Sequence, residues 1–568
     1  MKEFATFREI VYERPDFRAL SKELRALTKR VKKASDYEEI RKIFGEAETL
    51  ISGEYTAREI ASIRNTCDKT DAFYEKEVGY LDRQDTILQL RLLGLIKALI
   101  ASPFRERFDE EYGDFLTKKF ENMIKLMKLS AIPEMLQEKR LSQRYSRDAA
   151  LCSTEFRGEK NNFYGLLKHM ESTDRTERKE AFEAWAALYE SVSPKLDDTY
   201  DRLVRLRVKK AKKLGFRDYI DYIYLARDRY DYNRDDVERF RGYVKDLIVP
   251  VCEDLYRKQA ERLGVGRLRY YDEMLVFPEG NSVPQGTRDE LVEKARKMYA
   301  SMSKESGEYF SFMCEHELFD LDTRPGKHLG GYCTFLPDYR APFIFSNFNG
   351  TSADVDVLTH EAGHAFQCYL ASRTQKTMLN ITSTSEINEI HSMSMEHFAY
   401  PYMESFFGEA ADRYRYAHLV SALCTIPYLV SVDEFQHRVF EDPSMDASGR
   451  RDCWREIEKK YMPWRDYDGN AFLEGGGFWM QKQHIFLYPF YYVDYALAQI
   501  CAFQFFIRDR EDHEKAWNDY VSLCRRGGSI GYMDLLASAQ LSSPFERETV
   551  ENTVREIVSV IDEFEKKL

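Results

Sequence analysis

Two histidines four residues apart, with a glutamate next to the first, stand in Thr359-His360-Glu361-Ala362-Gly363-His364-Ala365-Phe366. On a helix that interval turns about 40°, so both imidazoles project from one face, at the spacing two nitrogen ligands of one Zn²⁺ require. Glu361 aims roughly a quarter turn away, where it can hold a water on the metal without competing as a ligand. Zinc lowers the pKa of a water it binds to about 7, and a neighbouring carboxylate then takes the proton and can pass it to a leaving amine. The pattern reads as a zinc metallopeptidase; the alternative is a solvated helix face with two ordinary histidines. The flanks Val357, Leu358, Ala362, Gly363, Ala365 and Phe366 argue for a buried helix instead. A glycine at 363 costs roughly 1 kcal/mol against alanine inside a helix and makes sense where another element must approach closely.

A catalytic zinc needs a third protein ligand and an open fourth position. Thr384 to His397 has helical character, with no proline or glycine, and offers Glu386, Glu389, His391, Glu396 and His397. Glu389, Ser392 and Glu396 fall at i, i+3 and i+7, one stripe of one face, which suits a ligand with supporting groups. His391 points elsewhere and reads as a packed or surface histidine. Asp356, one turn before His360, either orients a ligand or simply favours the positive end of the helix dipole.

These residues resemble the thimet oligopeptidase / oligoendopeptidase F family of zinc metallopeptidases, most of all its bacterial oligoendopeptidase F branch. In that family a glutamate ligand follows the first histidine by 29 residues within Glu-x-x-Ser-x-x-x-Glu, and Glu389, Ser392 and Glu396 fit at that offset from His360. The resemblance implies His360, His364 and Glu389 as ligands of one Zn²⁺, with Glu361 as general base. It runs from Tyr12-Glu13-Arg14-Pro15-Asp16-Phe17, through Gly215-Phe216-Arg217-Asp218-Tyr219, to Gly527-Gly528-Ser529.

A third block, His484-Ile485-Phe486-Leu487-Tyr488-Pro489-Phe490-Tyr491-Tyr492-Val493-Asp494-Tyr495-Ala496, is rich in phenols. Peptide cleavage builds negative charge on the carbonyl oxygen, and a preorganised donor there is typically worth about 10²–10³ in rate. Phenol hydroxyls donate and stay neutral at pH 7. Tyr492 and Tyr495, three apart, match the family's tyrosine pair over the scissile carbonyl, and His484 matches a substrate-contacting histidine. The interval varies by one residue among branches, which leaves Tyr488 and Tyr491 open. Leu487 to Phe506 is long and apolar enough to suggest a membrane span, with Asp494 its only charge. Pro489, Asp494, Gln499, Gln504 and the tyrosines argue instead for a core helix with a polar, substrate-facing side. The run Leu473-Glu474-Gly475-Gly476-Gly477-Phe478 suggests either a flexible loop that closes over a peptide or a plain turn.

The elements that must position these groups are mostly helices. Ile40–Ile51, Thr56–Gly79, Thr86–Ile100, Thr173–Leu214 and Asp235–Leu263 show 3.6-residue apolar periodicity, while 264–288 reads as loop or short strand. Short strands are expected in Gly330–Phe335 and Ala341–Phe348, where an edge strand can pair with an extended peptide or serve as a structural hairpin. At 568 residues the chain exceeds one ordinary core. The expected fold is mainly α: a large two-lobed helical protein with a deep central channel, as the resemblance implies, and a small β-sheet beside the zinc site. An N-terminal lobe over about 1–200 and a catalytic lobe over about 201–568 are expected within one peptidase unit.

Hydrophobic residues at 43% and charged residues at 32% fit a soluble globular protein. A net charge of −12 argues against nucleic acid or an anionic membrane as partner. Ten scattered cysteines without a Cys-x-x-Cys pair, and an N-terminus without an apolar signal-type core, suit a cytoplasmic protein. The expected activity is zinc-dependent endopeptidase cleavage of oligopeptides. Two rivals are a zinc carboxypeptidase or peptidyl-dipeptidase with the same metal site, and a peptide-binding protein whose zinc is structural.

Overall fold

Acidic and amide side chains punctuate the chain into helices. Asp36, Asp71, Asp174, Asp218 and Asn233 each accept hydrogen bonds from backbone N–H groups of the first turn that follows them, satisfying donors a helix start leaves unpaired. The computed structural model describes residues 2–328 and 330–568. Asp71 corrects one expectation: the helix expected over Thr56–Gly79 is two, Tyr37–Cys67 and Ala72–Ile100, broken where Asp71 caps Phe73 and Tyr74. Gly215, at φ +97°, ends the 40-residue helix Arg175–Leu214 in the left-handed conformation that glycine tolerates. Asp218 then starts Tyr219–Ala226.

The described residues gather into two compact units, each drawn from three stretches. The first comprises Met1–Met127, Val283–Glu409 and Gln504–Leu541; the second comprises Lys128–Ser282, Ala410–Phe503 and Ser542–Leu568. This differs from contiguous lobes split near residue 200, a position inside the helix Arg175–Leu214. The chain interleaves because its core contacts join segments hundreds of residues apart.

In the first unit, Leu24, Ile43, Leu81, Leu95 and Phe120 pack the helices Phe17–Val31, Tyr37–Cys67, Ala72–Ile100 and Asp114–Leu126 together. The same unit holds a three-stranded sheet of β3 (Phe319–Asp322), β4 (Tyr332–Leu336) and β5 (Ala341–Phe348), in the order β3-β5-β4. β5 is antiparallel to β4, with Thr334 opposite Phe343, and parallel to β3, with Phe319 opposite Ile344. As the central strand, β5 is buried at nearly every position, which explains its apolar run from Ala341 to Phe345. β3, a short Phe-Asp-Leu-Asp alternation, was not among the expected strands. In the second unit a core of Trp185, Tyr200, Phe435, Trp454 and Trp479 joins Arg175–Leu214 to Ala411–Glu441 and Ala447–Tyr461. This unit also holds a small hairpin, β1 (Thr154–Phe156) with β2 (Glu159–Asn161).

The apolar run around Asp494 forms the helix Tyr492–Glu511, with Val493, Ala496, Leu497, Ile500 and Phe503 fully buried. Among the described residues no single helix is long and apolar enough to cross a membrane.

Candidate metal centre

His360, Glu361 and His364 lie on the helix Ala353–Thr374, and Glu389 on the helix Ser385–Phe398. Gly363 sets the distance between them. A β-carbon there would stand 2.7 Å from both the His391 carbonyl oxygen and Ser392 Cα, so only glycine lets the second helix come this close. The motif helix is held from its other sides by Tyr309, which donates to the Ala362 carbonyl at 3.1 Å, and by Phe366 against Trp517.

Packed so, the two helices bring three donors together. Glu389 Oε2 lies 3.3 Å from His360 Nε2 and 3.5 Å from His364 Nε2. A tetrahedral ion with bonds of about 2.0–2.1 Å puts its ligand atoms about 3.3 Å apart, so the donor set fits zinc. It is the one such group among the described residues, all donors lying within 4.8 Å of one another. The other nitrogen of His360, Nδ1, is 2.6 Å from Glu396 Oε1, a carboxylate that fixes the ring's orientation and tautomer. Ser392 Oγ donates to Glu389 Oε2 at 3.1 Å. The stripe Glu389-Ser392-Glu396 thus divides into one candidate donor and two side chains that hold the donors in place. Glu389 is 3% exposed, whereas His360 and His364 keep 22% and 19% of their side-chain surface open. The cluster is closed on the glutamate side and more open on the histidine side.

Charge follows from this packing. Without a metal, burial opposes protonation of His360, but hydrogen bonds to Glu389 and Glu396 outweigh it and raise its proton affinity well above the ordinary range, a proton that a metal bound at Nε2 would displace. Glu389, despite burial, is held well below the usual carboxylate range by His364 and His360. Glu361 is buried, and burial pushes its carboxyl upward against the pull of both histidines. Its Oε1 faces Gly331: a β-carbon on that glycine would sit 3.5 Å from the carboxylate and 3.2 Å from Val357 Cγ1. The glycine pair preceding β4 was legible as a strand boundary, but its closeness to Glu361 was not. β4 is an edge strand backed by the helix Tyr37–Cys67, through Thr334 to Glu59 at 2.6 Å and Tyr332 to Thr66 at 2.6 Å.

His391, fully buried, packs against Tyr520 and takes no part in the donor set. His397 stacks on Phe506. His484, Tyr492 and Tyr495 come together in the second unit: the His484 ring lies 4.7 Å from Tyr492 and 6.3 Å from Tyr495, and the two phenols are 5.7 Å apart. Tyr491 joins them, 5.1 Å from Tyr495, while Tyr488 is half exposed, 5.8 Å from His484. The glycine run near 475 is a packed turn rather than an open loop. Gly476 (φ +87°) and Gly477 are buried, and a β-carbon at 476 would overlap the Arg451 carbonyl.

A mainly helical chain with a His-His-Glu donor set and an adjoining buried glutamate has the form of a metallopeptidase. Residues 7–127 match the Peptidase M3 N-terminal domain and residues 168–554 match Peptidase family M3; the chain belongs to that family. It is similar to PZ peptidase A, solved with an inhibitor, at 43% identity and a TM-score of 0.95, covering 98% of this chain and 99% of that one. It is also similar to a putative oligoendopeptidase F from Bacillus anthracis, at 39% identity and a TM-score of 0.91, with 99% of each chain covered. Group B oligopeptidase PepB of Streptococcus agalactiae is 24% identical over 390 residues, 66% of this chain. The matched region spans 61% of the length of that relative, and 61% of the chromosomal oligoendopeptidase F of Lactococcus lactis.

Proposed function

We propose that the chain is a zinc-dependent endopeptidase that hydrolyses internal peptide bonds of short, unstructured oligopeptides. The observation carrying this reading is the His360-His364-Glu389 donor set, open on its histidine side, with Glu361 buried beside it. Bound there, zinc supplies a Lewis acid that polarises a peptide carbonyl and acidifies water. Glu361, its proton affinity raised by burial, accepts a proton from the attacking water at its carboxylate and returns it to the leaving amine nitrogen. Glu396 keeps His360 Nε2 turned toward the ligand position by holding Nδ1.

To Tyr495 and Tyr492 we assign hydrogen-bond donation to the oxygen on which charge develops, and to His484 a contact with substrate. Their shared aromatic cluster and their match to the family's tyrosine pair support this. β4, an edge strand next to Glu361 through Gly331, suits main-chain pairing with an extended peptide, which binds many sequences alike. The names oligopeptidase and oligoendopeptidase F among its relatives support short peptides as substrates. The ten cysteines are free thiols, the state a reducing cytoplasm maintains, and we place the protein there.

Hydrolysis of an internally quenched, end-capped peptide of about ten residues by wild type and Glu361→Gln, with bound zinc measured in both, tests the reading. Internal cleavage by wild type is expected. The variant should keep its zinc and lose about 10²–10⁴-fold in kcat, the usual worth of a general base. If both proteins hold zinc and neither cuts a capped peptide, an exopeptidase or a binding role replaces the endopeptidase.

A further inference from the structure

Asp494 sits between Tyr492 and Tyr495 in the first turn of their helix and is fully buried. Its Oδ1 accepts a hydrogen bond from Arg229 Nη2 at 2.6 Å, and Arg227 Nη1 stands 3.9 Å from Oδ2. The two arginines also grip the backbone just before the helix. Arg229 Nη2 donates to the Phe490 carbonyl, and Arg227 Nε to the Pro489 carbonyl at 2.7 Å. Phe490 has φ +63°, a left-handed conformation that a bulky residue rarely adopts. Its N–H donates to Gln436 Oε1 at 2.9 Å, and its ring is buried against His437 and Phe440, at 5.0 and 5.8 Å. Arg227 also covers the Tyr491 ring at 4.9 Å. The turn that launches the tyrosine helix is therefore held at consecutive residues by side chains from two other segments of the same unit.

We propose that Arg229, Asp494, Arg227 and Gln436 are positioning residues that lock the Pro489-Phe490 turn and so fix where Tyr492 and Tyr495 hold their hydroxyls; this rests on the reading of those phenols as donors to the scissile carbonyl. A buried ion pair is a poor device for stability, since apolar side chains of similar shape often serve as well, but it defines direction and register. Strained backbone survives where its surroundings over-determine it, and such places cluster at functional sites. Arg227, Arg229 and Gln436 converge on one strained turn, and the two arginines also on the carboxylate between the two phenols. The requirement they meet is accuracy in the helix start, where a displacement of about 1 Å can cost about 10²-fold in rate.

The test compares kcat, KM and bound zinc for Asp494→Asn and Gln436→Leu, each made in wild type and in Tyr492→Phe/Tyr495→Phe. Asp494→Asn keeps the shape and removes the charge; Gln436→Leu removes the acceptor of the Phe490 N–H and reads the same turn should the first variant fail to fold. The expected result is a kcat lower by about 10- to 100-fold, with KM within about threefold and zinc content unchanged. In the background lacking both hydroxyls the same substitutions should change kcat by less than about threefold. A wild-type-like kcat overturns the proposal, as does a loss equally large without the hydroxyls. If Tyr492→Phe/Tyr495→Phe alone leaves kcat unchanged, the phenols are not donors, and the reading beneath the proposal falls instead.

Discussion

His360 Nδ1 and Glu396 Oε1, on two different helices, lie 2.6 Å apart. Glu396 stands behind the His360-His364-Glu389 donor set and governs how His360 Nε2 is presented to it. Such carboxylate partners typically carry 10–100-fold in metal affinity or activity. Glu396→Gln should therefore weaken zinc binding by about 10- to 100-fold in competition with a chromophoric chelator, with most of the activity returning at excess Zn²⁺. An unchanged affinity would show that the carboxylate does not orient the ring.

Removal of metal should abolish hydrolysis. Wild type dialysed against a chelator is expected to regain activity with one equivalent of Zn²⁺, the stoichiometry of a single three-residue donor set. Glu389→Gln loses the anionic ligand and should not recover at that level. Chelated protein that still cleaves peptide would remove the metal from the mechanism.

Gly363→Ala pushes a methyl group into the backbone of the neighbouring helix, 2.7 Å from the His391 oxygen and Ser392 Cα. Overpacking of this kind costs about 1–3 kcal/mol, and here it also spreads the ligand-bearing helices. A lower melting temperature and weaker zinc binding should appear together. Gly45→Ala, in the helix Tyr37–Cys67 with nothing within 4 Å, is the control and should be neutral or stabilising by up to about 1 kcal/mol.

His437 gives stability a pH dependence. Burial, only partly offset by Asp433, lowers its pKa from 6.5 to about 4. Between those values the unfolded chain binds a proton that the folded chain refuses, so stability is complete above pH 6.5 and declines as pH falls toward 4. His437→Gln retains a partner for the Tyr224 hydroxyl, now 3.1 Å from His437 Nε2, and removes the titration. Between pH 7 and pH 5 the variant should lose about 2 kcal/mol less stability than wild type in urea titrations. Parallel losses would mean that His437 titrates normally in the fold.

The clustering of His360 and His364 was legible because its information is local. His360, Glu361 and His364 share one helix, where 3.6-residue periodicity orients them, and the family resemblance, rather than periodicity, singled out Glu389 on the next. Gly363 likewise announced a close approach. The end of the long helix at Leu214, before Gly215, was legible, whereas the break before Asp71 was missed although that aspartate caps the helix that follows. The rest depended on contacts distant in sequence. Nothing near residue 331 foretells that its backbone lies against Glu361, nor does anything near Phe490 foretell that Arg229 will hold its carbonyl. The glycine run at 475–477 has the composition of an open loop, yet Gly476 packs because the Arg451 backbone arrives against it. The division into units is also not contiguous, since burial joins Met1–Met127 to Val283–Glu409 and Gln504–Leu541. Spacing along a chain determines which side chains share a helix face. Which faces meet is decided by the packing of the whole core, where distant residues exclude water together, and no local pattern encodes that.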